Sequence, residues 1–360
     1  MTSGTRPAAL AGAQRLRALS ADVRFYLWTA LGLVLFPFVF HLPIFNGYPG
    51  LATQILITGI AAIGFNVLLG YAGQLSYGHA AFYGLGSYTA ALALSRFFPH
   101  ANSFALAVFS GVVVATLAAL LIGALVVRLY GIYFALLTVA FGQMVYFIIF
   151  EAHGLTGGDD GLQSITTPPL NVGFGKLDLG SALPALNLGP FGDLGEVKWW
   201  YVFAAVAVIL VLVFTRTLVR SQFGEVLGAI RENEDRSTFV GYNPRRYKLA
   251  AFAVSGALCG LSGALRALYE GSVPIGSVTI DTSGNFVIYT VIGGAGTLLG
   301  PLVGTGVIMW LQNVISAKTE AWRLIEGILF VAVIVFLPSG IVGTYARRKF
   351  DIVRLVRGRR

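Results

Sequence analysis

The chain has 360 residues, of which 56% are apolar and only 11% charged. Soluble domains carry about 25% charged residues, so a water-soluble fold of this length would lack the polar atoms to cover itself. Intrinsic disorder is excluded as well, because disordered chains are poor in apolar residues. What remains is a polytopic membrane protein with a net charge of +9 and one cysteine, Cys259, which rules out an intramolecular disulfide or a cysteine metal cluster.

Residues 1–24 carry Arg6, Arg15, Arg17 and Arg24 around no apolar core, unlike a cleaved signal peptide. A short interfacial helix and a plain cytoplasmic tail both fit this composition. A span needs about 20 mostly apolar residues. About ten stretches qualify, at 25–43, 50–70, 78–96, 104–128, 131–151, 199–217, 248–269, 283–299, 301–316 and 324–343. The expected fold is all-α, a transmembrane domain over 25–345 with a basic tail at 346–360. Glycine breaks the stretches at 78–96, 283–299 and 301–316, so each could be a pair of half-helices or a re-entrant segment. Such backbone is tolerated at membrane depth only where protein or a water cavity covers it.

Charge orients the spans. The segment 218–247 and the C-terminal tail are rich in Arg and Lys, as is the N-terminal tail, which places all three in the cytoplasm. The stretch 154–198 holds five carboxylates against two lysines and faces outward. Five spans, then one, then four give the same parity. Attraction of this bias to an anionic inner leaflet accounts for the positive charge, and no nucleic-acid partner is needed.

Between the second and third spans lies GYAGQLSYGHAAFYGLGSY, Gly70 to Tyr88. Gln74, Ser76, Tyr77 and His79 sit where a membrane helix is normally apolar. Polar groups at that depth must pair or line water. They fit a discontinuous helix on a permeation path, or a tight turn with satisfied hydrogen bonds. Thr138 and Gln143 are polar points in the span at 131–151 and fit either helix packing or a path. Asp159 and Asp160 fall in a glycine-rich turn, Thr156 to Leu162, that lacks the twelve-residue calcium loop. A looser echo of the first motif, GGAG at Gly293 to Gly296, is also followed by spaced glycines.

From Glu225 to Phe239 the sequence predicts one short amphipathic helix, with Val226, Ala229, Ile230 and Phe239 as its apolar points. Gly241 ends it, and Asn243-Pro244 turns into the next span. Lying between two spans, it suits the membrane surface or a groove on a cytosolic partner. The sequence contains no P-loop, no His-Glu-x-x-His and no Gly-x-Ser-x-Gly. Glu151, Arg266, Glu270, Asp281 and Glu326 all fall near predicted span ends. An ion-coupled transporter would carry carboxylates at mid-depth, so the driving energy is expected from outside the chain.

These motifs resemble the LivM-type permeases of the branched-chain amino-acid ABC importers. The resemblance rests on GYAGQLSYGHAAFYGLGSY, GIYFALLT, TGGDDGL, AIRENEDRSTFVGYNPRRYKL, VIGGAGTLLGPLVG and EGILFVAVIVFLPSGIVG, in that order. Urea-importer permeases share much of the pattern, which leaves the solute open between branched-chain amino acids and urea or amides. The resemblance implies a bacterial inner-membrane subunit with both termini cytoplasmic and no cofactor of its own. It implies a LivH-type partner permease, two cytosolic ATPase subunits that hydrolyse ATP, and a periplasmic binding protein. It places a coupling helix in 218–247, with Gly228, Arg231, Glu232, Asn233 and Arg236 as ATPase contacts. Gln74, Ser76, Tyr77, His79 and Thr138 become path candidates, and Asp159 and Asp160 binding-protein docking candidates.

Overall fold

The architecture comes from a computed structural model that describes residues 29, 32–33, 36, 49–97, 103–171, 176–181, 198–319 and 321–345. The first candidate span, 25–43, lies mostly outside these residues, as do both basic tails and the loop carboxylates Asp193 and Glu196.

Helices dominate because a chain in hydrocarbon must satisfy its backbone within itself. Helix α1 (Pro49–Asn66) runs into a π-turn at Val67–Tyr71. Helix α2 (His79–Leu92) likewise ends in a π-turn at Ala93–Phe97. Next come α3 (Phe104–Val126), α4 (Gly131–Glu151) and the one-turn α5 (His153–Thr156). A two-residue antiparallel ladder follows, β1 (Leu170–Asn171) with β2 (Lys176–Leu177). The stretch between α4 and α6 thus contains both a short helix and a hairpin-like pair. Then come α6 (Trp199–Arg220), α7 (Gln222–Glu232), α8 (Glu234–Phe239) and α9 (Pro244–Glu270). Last are α10 (Ile280–Gly293), α11 (Gly300–Ser316) and α12 (Trp322–Phe336).

Six helices among the described residues are long and apolar enough to cross a membrane: Gly50–Tyr71, Phe104–Val126, Gly131–Glu151, Trp199–Arg220, Pro244–Glu270 and Trp322–Tyr345. The expected stretches at 78–96, 283–299 and 301–316 fall outside those six. They form α2, α10 and α11, of 14, 14 and 17 residues. At 1.5 Å per residue α10 covers about 21 Å, short of a bilayer core, whereas α2 with its π-turn runs on to Phe97 and stands outside the six through its glycine and polar residues and not its length. Glycine sets one of these limits directly: Gly294, at φ +118°, stops α10 before the end predicted for it.

The helix α1 is the axis of the bundle, with 94% of its span buried, against 22% for α4 and 11% for the α12 span. Around it pack α9, α11, α6 and α10. Helix α9 crosses α2 so closely that a Cβ on Gly86 would run into the Gly260 carbonyl oxygen. Small residues permit such crossings, and dispersion over the contact then holds the pair. Cys259 is fully buried on α9, as a packing residue.

The two ends of the bundle differ in chemistry. At one, the Tyr269 hydroxyl donates to the Gly50 carbonyl at 3.2 Å, and the 154–198 loop is sewn on through Ile165 N to Gly271 O at 2.8 Å and Thr167 Oγ1 to Leu268 O at 2.6 Å. The other end gathers the two glycine motifs and α7.

Candidate functional site

The chain breaks helix between Ala72 and Gly78, and each break has a local cause. The π-turn closes with Ala72 N on Val67 O at 3.2 Å and Gln74 N on Leu68 O at 3.1 Å. Gly73 then takes a left-handed φ of +70°, and a Cβ there would sit 2.7 Å from Arg231 Cγ. Ser76 Oγ accepts from Gly78 N at 3.3 Å, and Tyr77 N donates to Thr138 Oγ1 at 3.1 Å. The freed backbone groups are thus met by side chains, as membrane depth demands.

This break distributes the predicted path residues. His79 is wholly buried, with Nδ1 2.8 Å from Ser76 Oγ and Nε2 2.8 Å from Ser255 Oγ. The rings of Phe65, Phe82 and Phe252 stand edge-on around it at 5.0, 5.4 and 5.6 Å. Thr138 is buried too, accepting from Tyr77 and donating to the Ala135 carbonyl at 2.7 Å. His79, Ser76 and Thr138 therefore lie in packed interior. Gln74 and Tyr77 line a cavity of about 820 Å³, bounded by the start of α4, by Arg231 and by Ile280. The Gln74 side chain is 8% exposed and its Oε1 has no hydrogen-bond partner. In the same wall Lys248 pairs with Glu234 and stands 4.7 Å over the Tyr130 ring. The Glu234 carboxylate holds the Tyr130 phenol above its usual pKa, because a second negative charge beside it is unfavourable.

Below this cavity the single helix expected at Glu225–Phe239 is instead two. Asn233 takes an extended backbone, and its Oδ1 accepts from Arg236 N at 2.9 Å to cap α8. An asparagine cap is worth about 1 kcal/mol, enough to favour the restart. Helix α7 buries Val226, Leu227 and Ile230 against the bundle. Phe239, expected on that apolar face, is 89% exposed, with Val240 and Tyr242 beside it. The kink at Asn233 turns it away. As predicted, Gly241 ends α8 at a φ of +100° and Pro244 opens α9. A Cβ on Gly228 would meet open space, and Arg231, Glu232, Asn233 and Arg236 have exposed surface.

Arg231 does more than face outward. Its guanidinium donates to the Gly70 carbonyl, and it also borders a cavity of about 440 Å³ with Gly296, Thr297 and Ser339. The two glycine motifs meet here. Asn66 Nδ2 donates to Thr297 O at 2.9 Å, and Gly296 N donates to Asn66 Oδ1 at 2.8 Å. A Cβ on Gly70 would strike the Gly296 amide nitrogen. A shared pattern of spaced glycines in the two halves was the only sequence signal for this joint.

At the opposite end, Asp159 and Asp160 are exposed in a 3₁₀ turn between left-handed Gly157 and Gly161. Leu162 bridges to Val273 and fastens that turn to the segment after α9. Among the described residues, no three His, Cys, Asp or Glu side chains gather to hold a metal ion.

A bundle of apolar helices, entered by a broken helix and underlain by a kinked helix pair, defines a multi-pass integral membrane protein. Residues 48–337 match the family described as branched-chain amino acid transport system / permease component, and the chain belongs to that family. It is 30% identical over 304 residues to the high-affinity branched-chain amino acid transport system permease protein LivM of Escherichia coli K12, covering 82% of this chain and 70% of that protein. The LivM of Salmonella typhimurium is also 30% identical, with the same coverage. A probable LivM of Methanocaldococcus jannaschii is 24% identical over 41% of this chain and 48% of its own length. No solved structure matches the chain.

Proposed function

We propose that the chain is a transmembrane permease subunit of an ATP-driven, binding-protein-dependent importer of branched-chain amino acids. The observation that carries this is the joint at Arg231: a helix outside the spans is bonded directly to the backbone of the broken axial helix. ATP is hydrolysed by partner ATPases, and this chain holds no cofactor. Docked in an ATPase groove, the α7–α8 pair passes motion through Arg231 to Gly70 and Gly296. Gly228, Glu232 and Arg236 provide the outward contacts, and Asn233 sets the angle between the two helices. Phe239, exposed at the tip, is a further contact that the sequence pattern placed on the wrong face.

Gln74 and Tyr77 border the inner part of the path, while Ser76, His79 and Thr138 hold them in place. A LivH-type permease completes the path, and Asp159 and Asp160 meet the binding protein outside. The chain sits in a bacterial inner membrane with both termini cytoplasmic. ATP and loaded binding protein drive alternation only by favouring different conformations, since equal affinity for both would shift nothing.

Reconstitution in proteoliposomes with the ATPases, partner permease and binding protein tests this. ATP-dependent leucine uptake is expected, falling at least tenfold in Arg231→Glu while the complex still assembles. Urea uptake instead would keep the class and change the solute. Uptake by this chain alone on an ion gradient would overturn the reading.

A further inference from the structure

A cavity of about 290 Å³ opens on the Glu270 end of the bundle, between α1, α2, α9, α10 and α11. Its size lies near the lower bound for small-ligand sites, about 300–1,000 Å³. Two charges share its wall. Arg266 Nη2 lies 2.6 Å from Glu270 Oε1, one helical turn on, and Arg266 Nη1 donates to Thr58 Oγ1 at 3.2 Å. Gln54 Nε2 reaches the same Glu270 oxygen at 3.5 Å.

A guanidinium offers five N–H donors in a rigid fork. Two are used here, and Nε has no partner. The Ser277 hydroxyl in the same wall also lacks one. The Arg266 and Glu270 side chains keep 22% and 25% of their surface open. The rest of the wall includes apolar surface from Ala267, Val273, Phe286 and Met309.

We propose that this cavity is a binding subsite for a zwitterionic amino acid with an apolar side chain, the carboxylate held by Arg266 and the ammonium by Glu270. The ligand, like the pair, is neutral overall, so it exchanges one ion pair for two without adding net charge to a partly buried wall. An unpaired charge in such a wall would be costly. The apolar side wall takes the aliphatic group, which urea lacks. The subsite rests on the permease reading and adds to it: selection occurs in this chain as well as in the binding protein.

The test is equilibrium binding of labelled L-leucine to the purified permease–ATPase complex without binding protein. Competitors are 4-methylpentanoate, which lacks the ammonium, 3-methylbutylamine, which lacks the carboxylate, and urea. Leucine should bind, each single-charge analogue should compete at least tenfold more weakly, and urea should not compete. Arg266→Gln should weaken leucine at least tenfold. Glu270→Gln should bring leucine down to the level of 4-methylpentanoate, and this comparison decides the matter if the Arg266 variant fails to assemble. Competition by both analogues as strong as that of unlabelled leucine, or unchanged leucine affinity in both variants, overturns the subsite. Leucine uptake in proteoliposomes without binding here overturns the subsite alone. Absence of leucine uptake overturns the permease reading and the subsite together.

Discussion

Two polar residues of one motif, five positions apart, stand under opposite constraints. His79 bonds to two hydroxyls, Ser76 and Ser255, and is buried among aromatic rings. Replacement by leucine strands the Ser255 hydroxyl and leaves Ser76 Oγ only its bond from Gly78 N, and the summed loss is about 1–3 kcal/mol, since side-chain hydrogen bonds in membrane proteins average about 0.6 kcal/mol and an orphaned buried group costs more. His79→Leu should therefore lower the melting temperature of the detergent-purified complex by several degrees. Gln74 already has an orphaned acceptor. Gln74→Leu removes it, so the melting temperature should hold or rise while leucine uptake falls. A drop in stability for Gln74→Leu would place that side chain in the packing and not on the path. Both residues look alike in the sequence. The contact that separates them, Ser255, lies 176 positions away from His79.

Elements were legible where hydropathy alone decides them. The spans beginning near 50, 104, 131, 199, 248 and 324 all stand as helices at those places. The short helices were less so, because the glycine runs that end them also occur inside apolar stretches. Helix α10 is one of these, and it separates two cavities. Ile280 at its start faces the 820 Å³ space, while Thr282, Asn285, Phe286 and Tyr289 face the 290 Å³ one. A stretch read only for apolarity hides that division. The split at Asn233 escaped for a different reason: the residues on either side suit a helix, and only the cap favours stopping. Asn233→Leu removes the cap and favours one continuous helix. We expect basal ATPase activity of the complex to persist while its stimulation by loaded binding protein drops at least fivefold. Full stimulation in that variant would mean that the kink carries no coupling. At the α2–α9 crossing, Gly86→Leu should prevent assembly altogether, because the added carbon strikes backbone that cannot yield. Size-exclusion chromatography of the complex reads this directly.

The whole molecule has a polarity that labelling can check. Its ends are told apart by chemistry: Glu270 and the 154–198 loop at one, Arg231 and α8 at the other. Cys259 is fully buried, which leaves the native chain silent toward an impermeant maleimide. Asp178→Cys should react in intact spheroplasts, and Thr238→Cys only after the membrane is opened. The reverse pattern would invert the proposed orientation. Exposed apolar side chains crowd α4 and α12, such as Ile132, Leu136, Phe147, Ile328 and Val335, as expected of faces that meet lipid or another permease. The joint between Gly70 and Gly296 lies at the Arg231 end of this arrangement, and it is backbone laid on backbone, tied across by the Asn66 amide. Asn66 must offer a donor and an acceptor at one short reach. Aspartate lacks the donor, serine cannot span both partners, and glutamine is a carbon too long. None of these near neighbours in shape therefore replaces it, and a chain that carries one of them here has to close the joint with different parts.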